Sequence, residues 1–263
     1  MLKTKNRTTL SFTAGILAIM LIFSLCSFTF EVGTSYDTGD SDDVLTSTYY
    51  VEQYLKDKYG DSSAKITAGT PVVLNTQNYS QTTLNNYYKT ETGTAVSGTC
   101  SEVAATSLIE FYKGVDNFTT NADHRDTFVD ILDMALDKGY YSVEDGTAQN
   151  KLDSLVTKSF GLYGSSNKGN NDYFNIYKTL CEKVRDDDVP VLFSIIGHTM
   201  VGCGYVTYTT TYTTSSGATK TATDNFIIVN DGWSNTRQYS YFPEELVSTN
   251  IFNRWDFCIT KVS

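Results

Sequence analysis

The run Asp186-Asp187-Asp188 divides the sequence into two kinds of pattern. Before it, apolar residues recur at helical spacing. After it, they form short blocks rich in Val, Ile, Thr, Tyr and Phe, which is strand material. Helical signals gathered in the first half and strand signals in the second specify an α+β fold, with the sheet built late in the chain.

In the first half, Asp42 or Asp43 can open a helix that runs to about Tyr59 and stops at Gly60. Residues 71–75 form a short strand, and residues 77–88 a polar, aromatic loop. A helix follows over Cys100–Tyr112, with Ala104, Leu108, Phe111 and Tyr112 on one stripe, which makes it central and buried. Further helices are expected over residues 126–138, 147–160 and from Asp172 onward. Residues 118–125 and 161–171 read as loops. In the second half, strands are expected over residues 189–196, 198–208, 209–214, 221–229, 238–242 and 255–262, with a hairpin tip at 215–219.

The central helix begins with a cysteine: Ser97-Gly-Thr-Cys100-Ser-Glu. The first N–H groups of a helix lack intrahelical partners, and their partial positive charge favours a thiolate. A nucleophilic cysteine needs a base, and the base needs an orienting partner. The sequence holds two histidines. His124 sits in a polar loop and reads as exposed. His198 opens an apolar strand directly after Gly197. The strand ending Val229-Asn230-Asp231-Gly232-Trp233 would bring Asn230 and Asp231 near it if the two strands pair. Side chains alternate along a strand, so only one of the two can point at the ring. Trp233 could shield that pair or fill the core. Cys181 lies on an apolar helical stripe. Cys203 has odd separation from His198 along one strand and faces the other way. Both read as core.

Together, Cys100 at a helix start, Gly197-His198-Thr-Met-Val-Gly-Cys-Gly-Tyr205 and Phe226-Ile-Ile-Val-Asn-Asp-Gly-Trp233 resemble the papain-like cysteine peptidase superfamily. The likeness is to its bacterial secreted branches, the streptopain and staphopain types and the bacteriocin-leader peptidases. It spans about residues 77–233. It implies a papain-like fold, with the nucleophile on a central helix packed against an antiparallel sheet. Cys100 would be the nucleophile and His198 the base and then the acid, with Asp231 or Asn230 orienting it. A glutamine upstream of the cysteine would donate to the oxyanion. Tyr79-Ser-Gln81 favours Gln81 over Gln77. The sequence departs from the family in lacking Cys-Gly-Ser-Cys-Trp, since Ser101 stands where an aromatic is usual.

The resemblance implies a hydrolase of peptide bonds, with a peptide or protein as partner and no metal or cofactor. Two other classes remain open: a papain-fold amidase or acyltransferase on non-protein amides, and a non-enzymatic secreted or surface-binding module. A net charge of −10 argues against nucleic acid, whose phosphates demand a basic surface.

Residues 1–30 carry Lys3, Lys5 and Arg7 and then an uncharged run to Phe30, the layout of a signal peptide or, uncleaved, a membrane anchor. Either places the chain outside a bacterial cell or on its surface, with membrane contact only through this segment. Residues 31–70 read as a linker and a short N-terminal helix, leaving a pro-segment open. Residues 71–263 read as the peptidase domain.

Overall fold

The computed structural model describes residues 44–77, 79–114, 123–169, 176–195, 197–233, 240–245 and 257–258. The chain divides into two compact units, Met1–Ser35 and Tyr36–Ser263, and every described residue lies in the second. The expected signal or anchor at 1–30 lies outside the described residues. Among those residues no helix is long and apolar enough to cross a membrane.

The fold is mixed α+β, with six α-helices and an antiparallel sheet among the described residues. The helices are α1 (Thr48–Tyr59), α2 (Gln81–Thr92), α3 (Cys100–Tyr112), α4 (Asp123–Asp137), α5 (Leu152–Leu162) and α6 (Ile176–Asp186). The sheet contains β1 (Lys65–Ala68), β2 (Val72–Val73), β5 (Val191–Ile195), β6 (His198–Thr213), β7 (Thr219–Asn230), β8 (Ser240–Pro243) and β9 (Phe257–Cys258). A separate small hairpin joins β3 (Tyr141–Ser142) to β4 (Gly146–Thr147).

Strand order is β8-β7-β6-β5-β9, and β1 and β2 pair with the distal part of β6. The 16-residue β6 is therefore the spine of the sheet. The β6–β7 ladder runs from Val201↔Asn230 to Thr213↔Thr219, with an irregularity between Gly202 and Gly204. Thr214 and Ala218 close the tip through a main-chain bond of 2.9 Å.

Both faces of the sheet are covered. Phe226 and Ile228 pack into the larger core, with Leu55 of α1 and Leu108 of α3. Ile227 and Val229 point the other way, into a second core with Val184 of α6, Val191 and Met200. Alternating side chains with both faces buried explain why Phe226-Ile-Ile-Val229 is uniformly apolar.

α3 is buried from Ser101 to Glu110. It lies between α4, α5 and the sheet, which fits the central position expected of it. Leu108, Ile109, Ala105 and Val103 supply its apolar contacts. Each fully buried side chain of the size of Leu108 stabilises by about 1.5–3 kcal/mol.

Several boundaries differ from expectation. Residues 77–88 are not one loop: Ser80 caps α2, its hydroxyl accepting from Thr83 N–H at 3.3 Å, and Leu84 and Tyr88 bury one helical face. The Asn, Thr and Gln content of this helix masked a stripe of only two large residues. Residues 126–138 become Asp123–Asp137, so His124 lies in the first turn of α4. The helix expected over 147–160 is α5, preceded by a 3-10 turn at Gln149–Lys151. α1 starts at Thr48 after Ser47, whose side chain makes no cap bond. The helix expected from Asp172 is described from Ile176.

Candidate active site

Cys100 is the first residue of α3, after Thr99. Three contacts fix this entry. The Thr99 hydroxyl donates to Asn85 Oδ1 at 2.6 Å, tying it to α2. The Tyr141 hydroxyl on β3 donates to the Ser97 carbonyl at 2.6 Å and accepts from Ser97 N–H at 3.2 Å. Gly98 and Gly146 pass with no room between them: a Cβ on Gly146 would lie 2.7 Å from the Gly98 carbonyl oxygen. Gly98 itself has φ +65°, which suits a residue without Cβ. The β3–β4 hairpin thus clamps the turn that delivers Cys100. Sequence reading missed this hairpin because each strand is two residues long.

Cys100 is part-buried. Burial pushes its thiol up, and the carboxyl of Glu102 pushes it the same way; the Thr199 N–H and hydroxyl and the Ser101 hydroxyl pull it back through hydrogen bonds. Desolvation is the largest of these influences. The expectation that a helix start alone would favour the thiolate is therefore only part of the balance.

Glu102 is wholly buried, and burial raises its pKa to about 7. Its Oε1 accepts from the Thr147 hydroxyl, while Oε2 has no partner. This acid was not singled out in the sequence. A glutamate in the first turn of a helix ordinarily reads as a solvated residue favoured by the dipole.

His198 is the first residue of β6 and is 4% exposed. Its ring stacks on Trp233, with centroids 4.5 Å apart and planes at 16°. Its Nε2 lies 2.7 Å from the main-chain carbonyl oxygen of Asp231. A carbonyl oxygen only accepts, so Nε2 carries a proton. In the neutral ring Nδ1 is then the basic nitrogen.

The two residues expected to orient His198 are placed as follows. The Asp231 carboxylate is wholly buried in its own turn, where Oδ1 accepts from Trp233 N–H at 3.0 Å and Oδ2 accepts from the Ser240 hydroxyl. The ring's Nε2 donates to the main-chain carbonyl of Asp231. Asn230 turns to the opposite side of β7. Its Nδ2 donates to Thr76 Oγ1 at 2.6 Å and to the Gln77 carbonyl at 3.1 Å, and its Oδ1 faces the Cys203 sulfur at 3.9 Å. Asn230 therefore anchors the segment before α2.

Gln81, the first residue of α2, donates its N–H to the Gly232 carbonyl at 2.7 Å. It thus lies against the Asp231-Gly232-Trp233 turn. Its Oε1 is buried without a partner. Gln77 is held through its main-chain carbonyl by Asn230. Of the two glutamines, Gln81 is the one attached to the turn that contacts His198.

The Cys100 and His198 segments meet one residue further along each element. The Ser101 hydroxyl lies 2.9 Å from that of Thr199. Cys181 and Cys203 are buried, at 8% and 0% exposure, which leaves Cys100 the most accessible of the three described free thiols. Cys203 falls at the irregularity between Gly202 and Gly204. The side chains of His124 and Cys258 are outside the described residues. Among the described residues, no group of three or more His, Cys, Asp or Glu side chains is placed to hold a metal ion. No family model, curated protein or solved structure matches this chain.

Proposed function

We propose that the chain is a papain-fold cysteine hydrolase acting on peptide bonds of a peptide or protein substrate, working outside a bacterial cell or on its surface. The observation that carries this reading is a part-buried thiol at a helix start whose segment meets, through Ser101 and Thr199, the strand that opens with a buried imidazole whose Nε2 is committed to a carbonyl. That commitment leaves Nδ1 as the proton acceptor.

On this reading His198 Nδ1 takes the Cys100 proton, and the thiolate attacks the scissile carbonyl. The developing oxyanion is held by the Cys100 N–H and the Gln81 amide. Such donors typically contribute about 10²–10³ in rate. The protonated imidazole passes its proton to the leaving amine. Water, activated by the same nitrogen, then opens the thioester. The orienting role falls to the Asp231 main chain, while its carboxylate stiffens the turn and Trp233 covers the ring.

Hydrolysis of a mixed peptide library by the protein, lost in Cys100→Ser, tests the reading. Turnover confined to non-peptide amides, or to acyl transfer without hydrolysis, would move the assignment to an amidase or acyltransferase. A binding activity untouched by Cys100→Ser would mark a non-enzymatic module.

A further inference from the structure

The residues just ahead of α1 belong to the sheet. Leu45 N–H donates to the Tyr241 carbonyl at 2.8 Å, and Tyr241 N–H donates to the Leu45 carbonyl at 2.8 Å. This reciprocal pair forms an antiparallel bridge on the outer side of β8, the end strand of the described sheet. Val44 and Leu45 alternate as strand residues do. Leu45 enters the larger core with Leu55 and Ile228, and Val44 enters the second core with Ile227, Val229 and Phe242. Both are buried. Taking them away would bare a strand edge and open both cores at once. α1 ties the same region down from its other end: Lys58 donates to Asp224 Oδ1 on β7 at 2.6 Å, and the Tyr59 hydroxyl donates to Asp224 Oδ2 at 2.9 Å.

The bridge lies one residue from a contact that bears on the imidazole. Ser240 precedes Tyr241, and its hydroxyl donates to the Asp231 carboxylate. Ser240 also pairs with Val229 in the β7–β8 ladder, and Asp231 follows Val229 by two residues. The main-chain carbonyl of that same Asp231 accepts from His198 Nε2. Leu45 therefore holds β8, β8 holds the Asp231 turn, and the turn holds the ring. Ser240, Asp231 and His198 are all buried, and in a close-packed interior a shift of one is passed to the next.

We propose that Val44 and Leu45 are a built-in brace that positions His198 through Ser240 and Asp231. The segment then belongs to the working domain and is not a detachable pro-segment. Its removal lowers turnover, where removal of an inhibitory pro-segment would raise it. The catalytic half of this inference rests on the reading of His198 as the base; the mechanical half, from Leu45 to the ring, does not.

The test inserts a recognition sequence for a site-specific protease into the full chain, in one protein immediately before Val44 and in another between Ser47 and Thr48. Each protein is folded uncut, then cut and stripped of the released peptide, with release confirmed by mass, and serves as its own reference. Two readouts are taken: kcat and KM on one hydrolysed peptide, and the nitrogen-15 signals of the imidazoles, which report the tautomer. The chain holds two histidines, so the His198 signals are read against those of His124. Cutting before Val44 should change neither readout. Cutting after Ser47 should lower kcat by roughly 10²-fold, the scale for a displacement near 1 Å, with KM changed less. It should also shift the His198 signals away from the Nε2-protonated form. Ser240→Ala, which keeps the brace and removes its link to Asp231, should shift those signals the same way, and it decides the matter where the Ser47 cut unfolds the protein. Turnover that holds or rises after the Ser47 cut, or His198 signals indifferent to Ser240→Ala, overturns the inference. His198 signals that move in a chain that hydrolyses no peptide keep the brace and remove the peptidase reading instead.

Discussion

The imidazole of His198 donates from Nε2 to the main-chain carbonyl of Asp231 across 2.7 Å. A side-chain substitution cannot delete that acceptor. Asp231→Asn keeps the carbonyl and should leave kcat/KM within about tenfold of the parent, whereas His198→Ala should abolish turnover. The substitution falls instead on the turn, where the carboxylate receives Trp233 N–H and the Ser240 hydroxyl. Urea denaturation should show a loss of about 1–3 kcal/mol, the range for a buried hydrogen bond to a charged group. Complete loss of turnover with unchanged stability would assign the orienting role to the carboxylate.

Asn230 supplies a control on the other side of β7. Its amide ties Thr76 and Gln77 to the strand. Asn230→Ala should therefore cost about 1–3 kcal/mol in denaturant, because buried partners lose their bonds. The pH dependence of Cys100 alkylation should stay where it is. A displaced alkylation profile in a folded Asn230→Ala protein would contradict this placement.

Glu102 gives the fold a pH dependence of defined sign. Burial raises its pKa from 4.5 to about 7. A group that holds its proton more tightly when folded contributes stability below its unfolded pKa, and that contribution is lost as pH rises through the folded value. Stability should accordingly fall between about pH 4.5 and pH 7, by on the order of 3 kcal/mol from this group. Glu102→Gln keeps an acceptor for the Thr147 hydroxyl and should flatten that slope. It should also ease ionisation of Cys100, moving alkylation to lower pH. An unchanged slope in urea titrations at stepped pH counts against a buried, uncharged Glu102.

The close pass of Gly98 and Gly146 can be tested separately. Gly146→Ala places a methyl carbon 2.7 Å from the Gly98 carbonyl at a backbone φ of +69°. The expected cost is about 1–3 kcal/mol, the range for strained backbone. Alkylation of Cys100 should slow with it, since the shifted turn carries the cysteine. Thermal unfolding and alkylation that both match the parent would show that the hairpin does not position this turn.

Much of this architecture could be read in the sequence. The Leu108 stripe and the Phe226-Ile-Ile-Val229 block each belong to one repeating pattern, and burial follows pattern. The helix start at Cys100, the strand start at His198 and the turn at Asn230-Asp231-Gly232 were legible because punctuating residues mark them. What escaped depends on contacts distant in sequence. The β3–β4 hairpin pairs two residues with two and leaves no periodic trace. Glu102 is buried because Thr147 and α3's neighbours enclose it, which no local pattern encodes. The use of the Asp231 carbonyl was hidden for another reason: main-chain acceptors carry no letter in the sequence. Alternation concerns side chains and allowed one of Asn230 and Asp231 at the ring; it is silent on main-chain atoms, and it is the Asp231 carbonyl that meets Nε2.

The central claim is that Cys100 is a nucleophile prepared by His198. The most direct measurement is the rate of iodoacetamide labelling at each cysteine of the folded protein at neutral pH, by peptide mass analysis, for the parent and for His198→Ala. The account predicts that Cys100 labels at least about tenfold faster than Cys181 or Cys203, and that His198→Ala removes most of that advantage. Equal labelling of the three, or a Cys100 rate indifferent to His198, would contradict it.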